Sequence, residues 1–148
     1  MPHHRVDDLA AFLAGGWTVE RSIVPMRGVP GGGFTGHAEV SRHPRRPGLL
    51  TYREQGTVVI GDHIGPASRT LRYEVDGPTA RVRFDDGRFF HDLDLRAGGW
   101  FADHPCGQDL YRGRFTVLGP DVWEQRWTVS GPTEAYRMRT RLERLVRR

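Results

Sequence analysis

The residues best suited to chemistry in this chain are concentrated between Asp86 and Tyr111. This stretch contains two histidines, the single cysteine, an aspartate and a tyrosine, namely His91, His104, Cys106, Asp109 and Tyr111. A carboxylate beside an imidazole fixes the tautomer of the ring, and a phenol can donate a hydrogen bond to a developing oxyanion. These residue types suit general acid and base catalysis, and they suit the polar recognition of a small ligand equally well.

Two other chemistries use Cys106, which stands between Pro105 and Gly107 and is predicted to lie in a turn. A reactive thiol would need a lowered pKa, which a nearby histidine could provide, whereas free cysteine more often packs as a small hydrophobe. A zinc ion held by His91, His104 and Cys106 would have suitable ligands, but the close paired spacing of known zinc motifs is missing. We therefore predict no cofactor here, with zinc as a minor alternative.

Turn signals divide the rest of the chain into short segments that must position these side chains. Two acids and apolar residues at helical spacing predict one short helix over residues 7–14, which a glycine pair ends. Alternating patterns predict strands at 17–24, 34–42, 49–60, 67–75, 79–84, 89–95, 100–104, 109–118, 122–130 and 135–146. We expect a mainly β fold, a closed antiparallel up-and-down barrel that forms one domain over residues 1–148.

Strand alternation predicts which of the reactive residues share a face. It places His91 inward together with Phe89, and Asp109 inward together with Tyr111. If the turns are 96–99 and 105–108, His91 lies opposite His104, and His104 lies opposite Asp109, across three adjacent strands. The alternative is a buried polar ladder whose members satisfy one another and set the strand register.

The same alternation predicts further polar and aromatic side chains inside the barrel. These are Tyr52, Glu54, Arg69, Tyr73, Trp127, Tyr136 and Met138. A buried arginine is costly unless it is paired. We therefore expect Arg69 to face either Glu54, as an internal ion pair, or the carboxylate of a ligand.

Composition narrows the class of protein. A chain of 148 residues with 37% hydrophobic content fits one globular domain. No apolar run approaches the roughly 18 residues of a membrane span, and the single cysteine cannot form an internal disulfide. We therefore expect a soluble, cytoplasmic protein without a membrane partner.

The net charge of +4 gives little information about partners. All 22 basic residues are arginines, as in proteins from GC-rich genomes, and the absence of lysine excludes Schiff-base chemistry. Arg137, Arg139 and Arg141 alternate along the last predicted strand and could contact phosphate. A solvated outer face explains them more simply, and no recognisable nucleic-acid module supports the other interpretation.

Several segments resemble a known protein family. They are Phe12-Leu13-Ala14-Gly15-Gly16-Trp17, Phe34-Thr35-Gly36, Asp86-Gly87-Arg88-Phe89-Phe90-His91, His104-Pro105-Cys106-Gly107-Gln108-Asp109-Leu110-Tyr111 and Trp127-Thr128-Val129-Ser130-Gly131-Pro132. Together they resemble domain of unknown function 6314, a family that brings no established activity. The resemblance implies a small calycin-like barrel.

One further feature resembles the calycin barrels, which include lipocalins, fatty-acid-binding proteins and nitrobindins. Gly16 and Trp17 follow a short helix, and a basic residue, Arg144, lies late in the last strand. Nitrobindins hold haem through a histidine late in the chain, whereas no histidine follows His104 here. This departure disfavours haem ligation by the same route, and haem held through His91 or His104 remains the alternative.

Three functions are compatible with these observations. The leading hypothesis is a barrel that binds a small, partly apolar ligand through His91, His104, Asp109, Tyr111 and Arg69. The second is an enzyme, such as a cyclase, isomerase or hydrolase, that uses the same residues for proton transfer. The third is a filled barrel whose arginine-rich surface binds a protein or nucleic acid. Homodimerisation could use an outward-facing residue such as Leu110, Val122 or Leu145.

Overall fold

A computed structural model describes residues 3–27, 30–132 and 135–145, without the side chain of Arg27. In these residues a short helix precedes ten strands. The elements are α1 (Leu9–Leu13), β1 (Gly15–Arg27), β2 (Gly32–Arg42), β3 (Leu49–Ile60), β4 (His63–Asp76), β5 (Thr79–Phe84), β6 (Phe89–Asp94), β7 (Gly99–Cys106), β8 (Asp109–Gly119), β9 (Val122–Ser130) and β10 (Ala135–Arg144).

The strands form one antiparallel sheet that rolls into a nearly closed barrel. Their order is β6-β5-β4-β3-β2-β1-β10-β9-β8-β7, so the first and last strands pair and every other ladder joins neighbours in sequence. This confirms the predicted up-and-down barrel. The described residues form no ladder between β6 and β7, which face each other across a seam. Trp100 spans this seam and donates from Nε1 to the Asp92 carbonyl oxygen over 2.8 Å.

Helix α1 seals one end of the barrel. Its N-terminus is capped by Asp8, whose carboxylate accepts from the Ala11 amide at 3.1 Å. Phe12 packs against Trp17 and Trp123, with ring centroids 5.6 and 6.0 Å apart, and each tryptophan is 1% exposed. Large buried aromatic side chains therefore pack directly beneath the helix.

Arg144 completes this closure from the end of β10. It lies opposite Trp17, with its guanidinium carbon 4.3 Å from the tryptophan ring centroid. The same guanidinium donates to the carbonyls of Phe12 at 2.8 Å and Pro120 at 3.0 Å, and pairs with Asp121 at 2.8 Å. Trp17 and Arg144, which resemble the calycin pattern in the sequence, are therefore in contact in the structure.

Small residues allow β2 and β3 to approach closely inside the barrel. Gly36 and Gly56 face each other, and a Cβ added at Gly36 would lie 2.2 Å from the Gln55 carbonyl oxygen. A side chain at this position would force the two strands apart. The absence of a side chain at Gly36 therefore permits the close approach of β2 to β3.

Several connections are shorter than the sequence predicts. The break expected at 61–66 is a two-residue turn, because Gly61 adopts φ +57 and lets β3 and β4 continue to either side. The loop expected at 25–33 is likewise shorter, since β1 extends to Arg27 and β2 begins at Gly32. The last strand ends at Arg144, and the predicted end at Val146 lies outside the described residues.

Candidate functional site

The two halves of the barrel interior differ in their access to solvent. Beneath α1, inward-facing side chains such as Trp17, Leu93 and Leu142 are fully buried. At the other end, which carries the β3–β4, β5–β6 and β7–β8 turns, several inward-facing side chains are only half-buried. They are Val58, Ala67, Arg69, Phe84, His104, Tyr111 and Met138. We call this end the open half.

A buried ion pair forms one wall of the open half. Arg21 on β1 donates to both carboxylate oxygens of Glu54 on β3, at 2.8 and 2.9 Å. The Tyr52 hydroxyl donates to Oε1 of Glu54 at 2.7 Å, and Nε of Arg21 donates to the Thr140 hydroxyl at 2.9 Å. Glu54 is only 3% exposed. The Glu54 carboxylate therefore receives its hydrogen bonds from Arg21 and Tyr52, within the protein itself.

These contacts keep the pair charged despite its burial. Desolvation disfavours the charged form of Glu54, but hydrogen bonds from Arg21 and the positive charge of Arg69 hold the pKa of Glu54 below its usual range. The pKa of Tyr52 is raised well above its usual value, first by burial and then by the Glu54 charge. Tyr52 therefore stays a neutral hydrogen-bond donor.

Arg69 lies opposite Glu54 on β4 but is poorly paired. Its Nη2 atom is 3.7 Å from Oε1 of Glu54, which is outside hydrogen-bonding distance. Its Nε atom is buried and has no hydrogen-bond partner among the described residues, while the side chain as a whole is 39% exposed. The predicted internal ion pair with Glu54 is thus made tightly by Arg21 and only loosely by Arg69.

His91 occupies an aromatic enclosure on the opposite wall. Its ring lies 4.6 Å from Phe90, 5.1 Å from Phe115 and 5.4 Å from Trp127, measured between centroids. Nδ1 is 2.7 Å from the Asp92 carbonyl oxygen, and because a carbonyl only accepts, Nδ1 must carry the proton. Burial lowers the pKa of His91 to about 4, so the ring is neutral at pH 7.

His104 is the partly exposed counterpart of His91. Its ring contacts Phe90 and Phe84 at centroid distances of 5.2 and 5.7 Å, and Tyr111 at 5.9 Å. Phe90 therefore touches both histidines. The predicted pairing of His91 with His104 as neighbours on one ladder is wrong, because β6 and β7 are the two edges of the sheet.

The pairing predicted between His104 and Asp109 is also wrong. The β7–β8 turn consists of Gly107 and Gln108 rather than four residues, with Gly107 at φ +64. This places Tyr111 opposite His104 and Cys106 opposite Asp109. Tyr111 is two positions from Asp109 along β8, so the predicted inward face of this strand is unchanged. The Asp109 carboxylate, however, no longer lies opposite the His104 imidazole.

A bulge changes which residues of β6 face the barrel interior. The ladder between β5 and β6 shifts register after Val82, so Phe90 and His91 are both buried although they are consecutive. Phe89, predicted to face inward, is 47% exposed. Phe90 takes its place and stacks on Phe84 with centroids 4.5 Å apart.

Asp109 and Cys106 lie at the rim. Oδ1 of Asp109 is buried without a hydrogen-bond partner among the described residues and packs against Gly131, where an added Cβ would be only 1.5 Å away. Cys106 is exposed and is the last residue of β7, not part of the turn. The described part of the chain contains no group of three or more His, Cys, Asp or Glu residues placed to hold a metal ion.

The remaining predicted site residues lie on several walls. Burial raises the pKa of Tyr73 to about 12, and its ring lies 6.4 Å from that of Tyr52. Trp127 covers the backbone of Gly113, where a Cβ would be 2.8 Å from the indole. Tyr136 is half-buried opposite Val129.

Sequence reasoning missed Arg21 and Phe90 as site residues. The signal for Arg21 was available, because it alternates in phase with the buried residues Trp17 and Val19. No comparable signal existed for Phe90, since a bulge breaks the alternation on which the prediction depended.

The nearly closed antiparallel barrel defines a calycin-like fold. The chain belongs to a family of unknown function, DUF6314, whose model matches residues 13–144. No curated protein sequence matches the chain. Among the described residues no helix has the length and apolar character needed to cross a membrane.

Solved structures similar to this chain share its fold at low sequence identity. The S-type phycobiliprotein lyase CPES from Guillardia theta matches with a TM-score of 0.67 and 9% identity, over 95% of this chain and 92% of the lyase. A protein of unknown function from the DUF3598 family of Nostoc punctiforme matches with a TM-score of 0.61 and 12% identity, over 98% of this chain and 51% of that one. EF1p2_mFAP2b, solved with DFHBI bound, matches with a TM-score of 0.51 and 16% identity, over 95% and 99% of the two chains.

Proposed function

We propose that the protein binds a small, partly apolar molecule in the open half of the barrel. The observation that carries this proposal is the contrast between the two ends of the interior. Inward-facing side chains beneath α1 are buried, whereas inward-facing residues such as Val58, Ala67 and Phe84 at the other end keep access to solvent. An apolar surface that is half-covered inside a barrel is the usual design of a ligand pocket.

The lining of the open half suits a ligand with an aromatic or otherwise flat apolar body. Phe84, Phe90 and Trp127 form a stack, with centroids 4.5 and 5.2 Å apart. His104 stands edge-on to Phe90, Tyr111 stands edge-on to His104, and both residues supply polar atoms. One structurally similar protein is a phycobiliprotein lyase and another was solved with DFHBI bound, and these similarities support the proposal at the level of the fold.

Binding is favoured over acid–base catalysis by the register of β7 and β8. A general base needs an imidazole of suitable pKa, usually oriented by a carboxylate. Here Tyr111, not Asp109, lies opposite His104, and His91 is enclosed by three rings with 4% of its surface exposed. The enclosure also leaves His91 without an open approach for a haem iron.

Filling the open half tests the proposal. The neutral apolar dye N-phenylnaphthylamine (NPN) should bind the wild-type protein saturably, with an increase in fluorescence. Ala67→Phe places a ring on the inward face of β4 and should weaken NPN binding at least about tenfold. Ser68→Phe adds the same ring to the outward face of the neighbouring position and should leave binding within about twofold.

A second filling variant, Met138→Trp, repeats the test from the wall formed by β10. Thermal unfolding of each variant establishes that it is folded. Absence of saturable NPN binding to the wild type, or equal effects of Ala67→Phe and Ser68→Phe, would contradict an interior site.

A further inference from the structure

The open half carries more positive than negative charge on the wall formed by β1, β3 and β4. This wall has two guanidinium groups, from Arg21 and Arg69, and one carboxylate, from Glu54. His91 adds no charge at pH 7 because it is neutral. Asp109, the other inward acid on the strands around the opening, belongs to β8, four strands away from β4 around the barrel.

The bonding pattern assigns the surplus charge to Arg69. Both oxygens of Glu54 receive a guanidinium proton from Arg21, and Oε1 also accepts from Tyr52. Charge-assisted hydrogen bonds at 2.7 to 2.9 Å are near optimal, so Glu54 has little capacity left for a third partner at full strength. Arg69 reaches it only at 3.7 Å.

Arg69 therefore keeps donors that the described residues do not satisfy. Its Nε–H is buried without an acceptor, although most buried donors in folded proteins are paired. Part of the same side chain is exposed, so the guanidinium lies at the boundary between the covered interior and solvent. Such a guanidinium can form bidentate hydrogen bonds with a planar anion that enters from the open end.

We infer that the ligand of the open half is an apolar acid, whose carboxylate or similar anionic group binds Arg69 while its apolar body packs among Val58, Phe84 and Phe90. This inference rests on the proposed function and specifies the chemical class of its ligand. Arg21 is a positioning residue in this arrangement, because it donates to both oxygens of the Glu54 carboxylate and so leaves Arg69 available to bind the anion.

Two dyes that share a skeleton separate the charge from the apolar body. Anilinonaphthalene sulfonate (ANS) carries one anionic group, and NPN is its neutral analogue. Wild-type protein should bind ANS at least about tenfold more tightly than NPN. Arg69→Gln should weaken ANS binding at least about tenfold and leave NPN binding within about twofold.

Matched variants isolate the contribution of Arg69. Arg53→Gln removes an arginine from the outward face of β3 and should leave the binding of both dyes unchanged. Ala67→Phe should weaken ANS and NPN alike, which separates interior ANS from ANS bound to the arginine-rich exterior. Arg69→Lys keeps the charge without the planar fork, so its ANS affinity should lie between those of the wild type and Arg69→Gln.

The possible results distinguish this inference from the proposed function. If NPN binds in the interior but ANS binds no more tightly, or if Arg69→Gln weakens both dyes equally, the assignment of an acidic ligand to Arg69 is overturned while the pocket stands. If neither dye binds the wild type saturably, the pocket itself is rejected. Circular dichroism and thermal unfolding show whether Arg69→Gln is folded. If Arg69→Gln does not fold, the binding of ANS and NPN is compared between Arg69→Lys and the wild type instead.

Discussion

His91 illustrates how a single residue of the open half is controlled by its surroundings. Its Nδ1–H is held by the Asp92 carbonyl, and rings of Phe90, Phe115 and Trp127 surround the rest of the imidazole. A charged imidazolium would lose hydration there and gain no carboxylate partner in return. The protein therefore holds this histidine as a neutral hydrogen-bonding aromatic residue.

The lowered pKa of His91 predicts a loss of stability in mild acid. The pKa is about 4 in the folded protein and ordinarily 6.5, so between these values the unfolded chain binds more protons. The free energy of unfolding should therefore fall as the pH drops from 6.5 towards 4, by at most about 3 kcal/mol from this group. Urea unfolding at pH 7 and pH 4.5 measures the difference.

Two variants separate His91 from the other groups that titrate in this range. His91→Gln keeps a donor for the Asp92 carbonyl but cannot titrate, so its stability should depend less on pH than that of the wild type. His37→Gln, at an exposed outward position on β2, should behave like the wild type. Equal pH dependence in His91→Gln and the wild type would refute the prediction.

At the scale of elements, the seam between β6 and β7 is the weakest part of the barrel wall. Every other pair of neighbouring strands is joined by a ladder of backbone hydrogen bonds, whereas the described residues of β6 and β7 form none. Packing of the aromatic residues behind the seam and the bond from Trp100 to Asp92 hold the two edges together. Unpaired edges open more readily than paired ones.

Trp100→Phe should loosen the seam. The variant keeps a ring but loses the indole donor, so the free energy of unfolding should fall by about 1 kcal/mol. Backbone amides of β6 and β7 should exchange faster with deuterium, while those of β2 and β3 should change only as global stability does. Phe101→Leu, at the adjacent exposed position, is the control. Unchanged exchange in β6 and β7 of Trp100→Phe would show that the bond does not hold the seam.

At the scale of the whole molecule, one end of the barrel provides stability and the other remains open. The sealed end contains α1, the buried tryptophans and Arg144, which joins the first and last strands to the helix. The open end contains the charged and aromatic side chains of the proposed pocket. This division separates the main core from the proposed pocket.

Replacing Arg144 tests how much the sealed end contributes. Arg144→Lys keeps the charge but loses the planar group that stacks on Trp17 and donates to several carbonyls, so the free energy of unfolding should fall by about 2 kcal/mol. Arg137→Lys, on the outward face of the same strand, should change it by less than about 0.5 kcal/mol. Urea denaturation of both variants measures this, and similar values for the two would contradict the proposed role of Arg144.

The sequence by itself determined the architecture. Alternation of apolar and polar residues is a local property, and glycine and proline mark the turns, so the helix and all ten strands could be predicted with errors mainly at their ends. Closure also followed from the sequence, because so many short strands in an open sheet would leave exposed edges. Gly16, Trp17 and Arg144 resembled the calycin closure, and Trp17 on the first strand does lie opposite Arg144 on the last strand.

Only the tertiary structure decided how the site is assembled. Because of a bulge on β6, Phe90 faces the interior and Phe89 does not. A shorter turn after β7 places Tyr111 opposite His104. Neither change is visible in the alternation, because local patterns fix the face of a strand but not its partner or the length of its turns. For the same reason the sequence could place Glu54 and Arg69 inside the barrel but could not show that Arg21 occupies the carboxylate, since β1 and β3 meet only through the curvature of the closed wall.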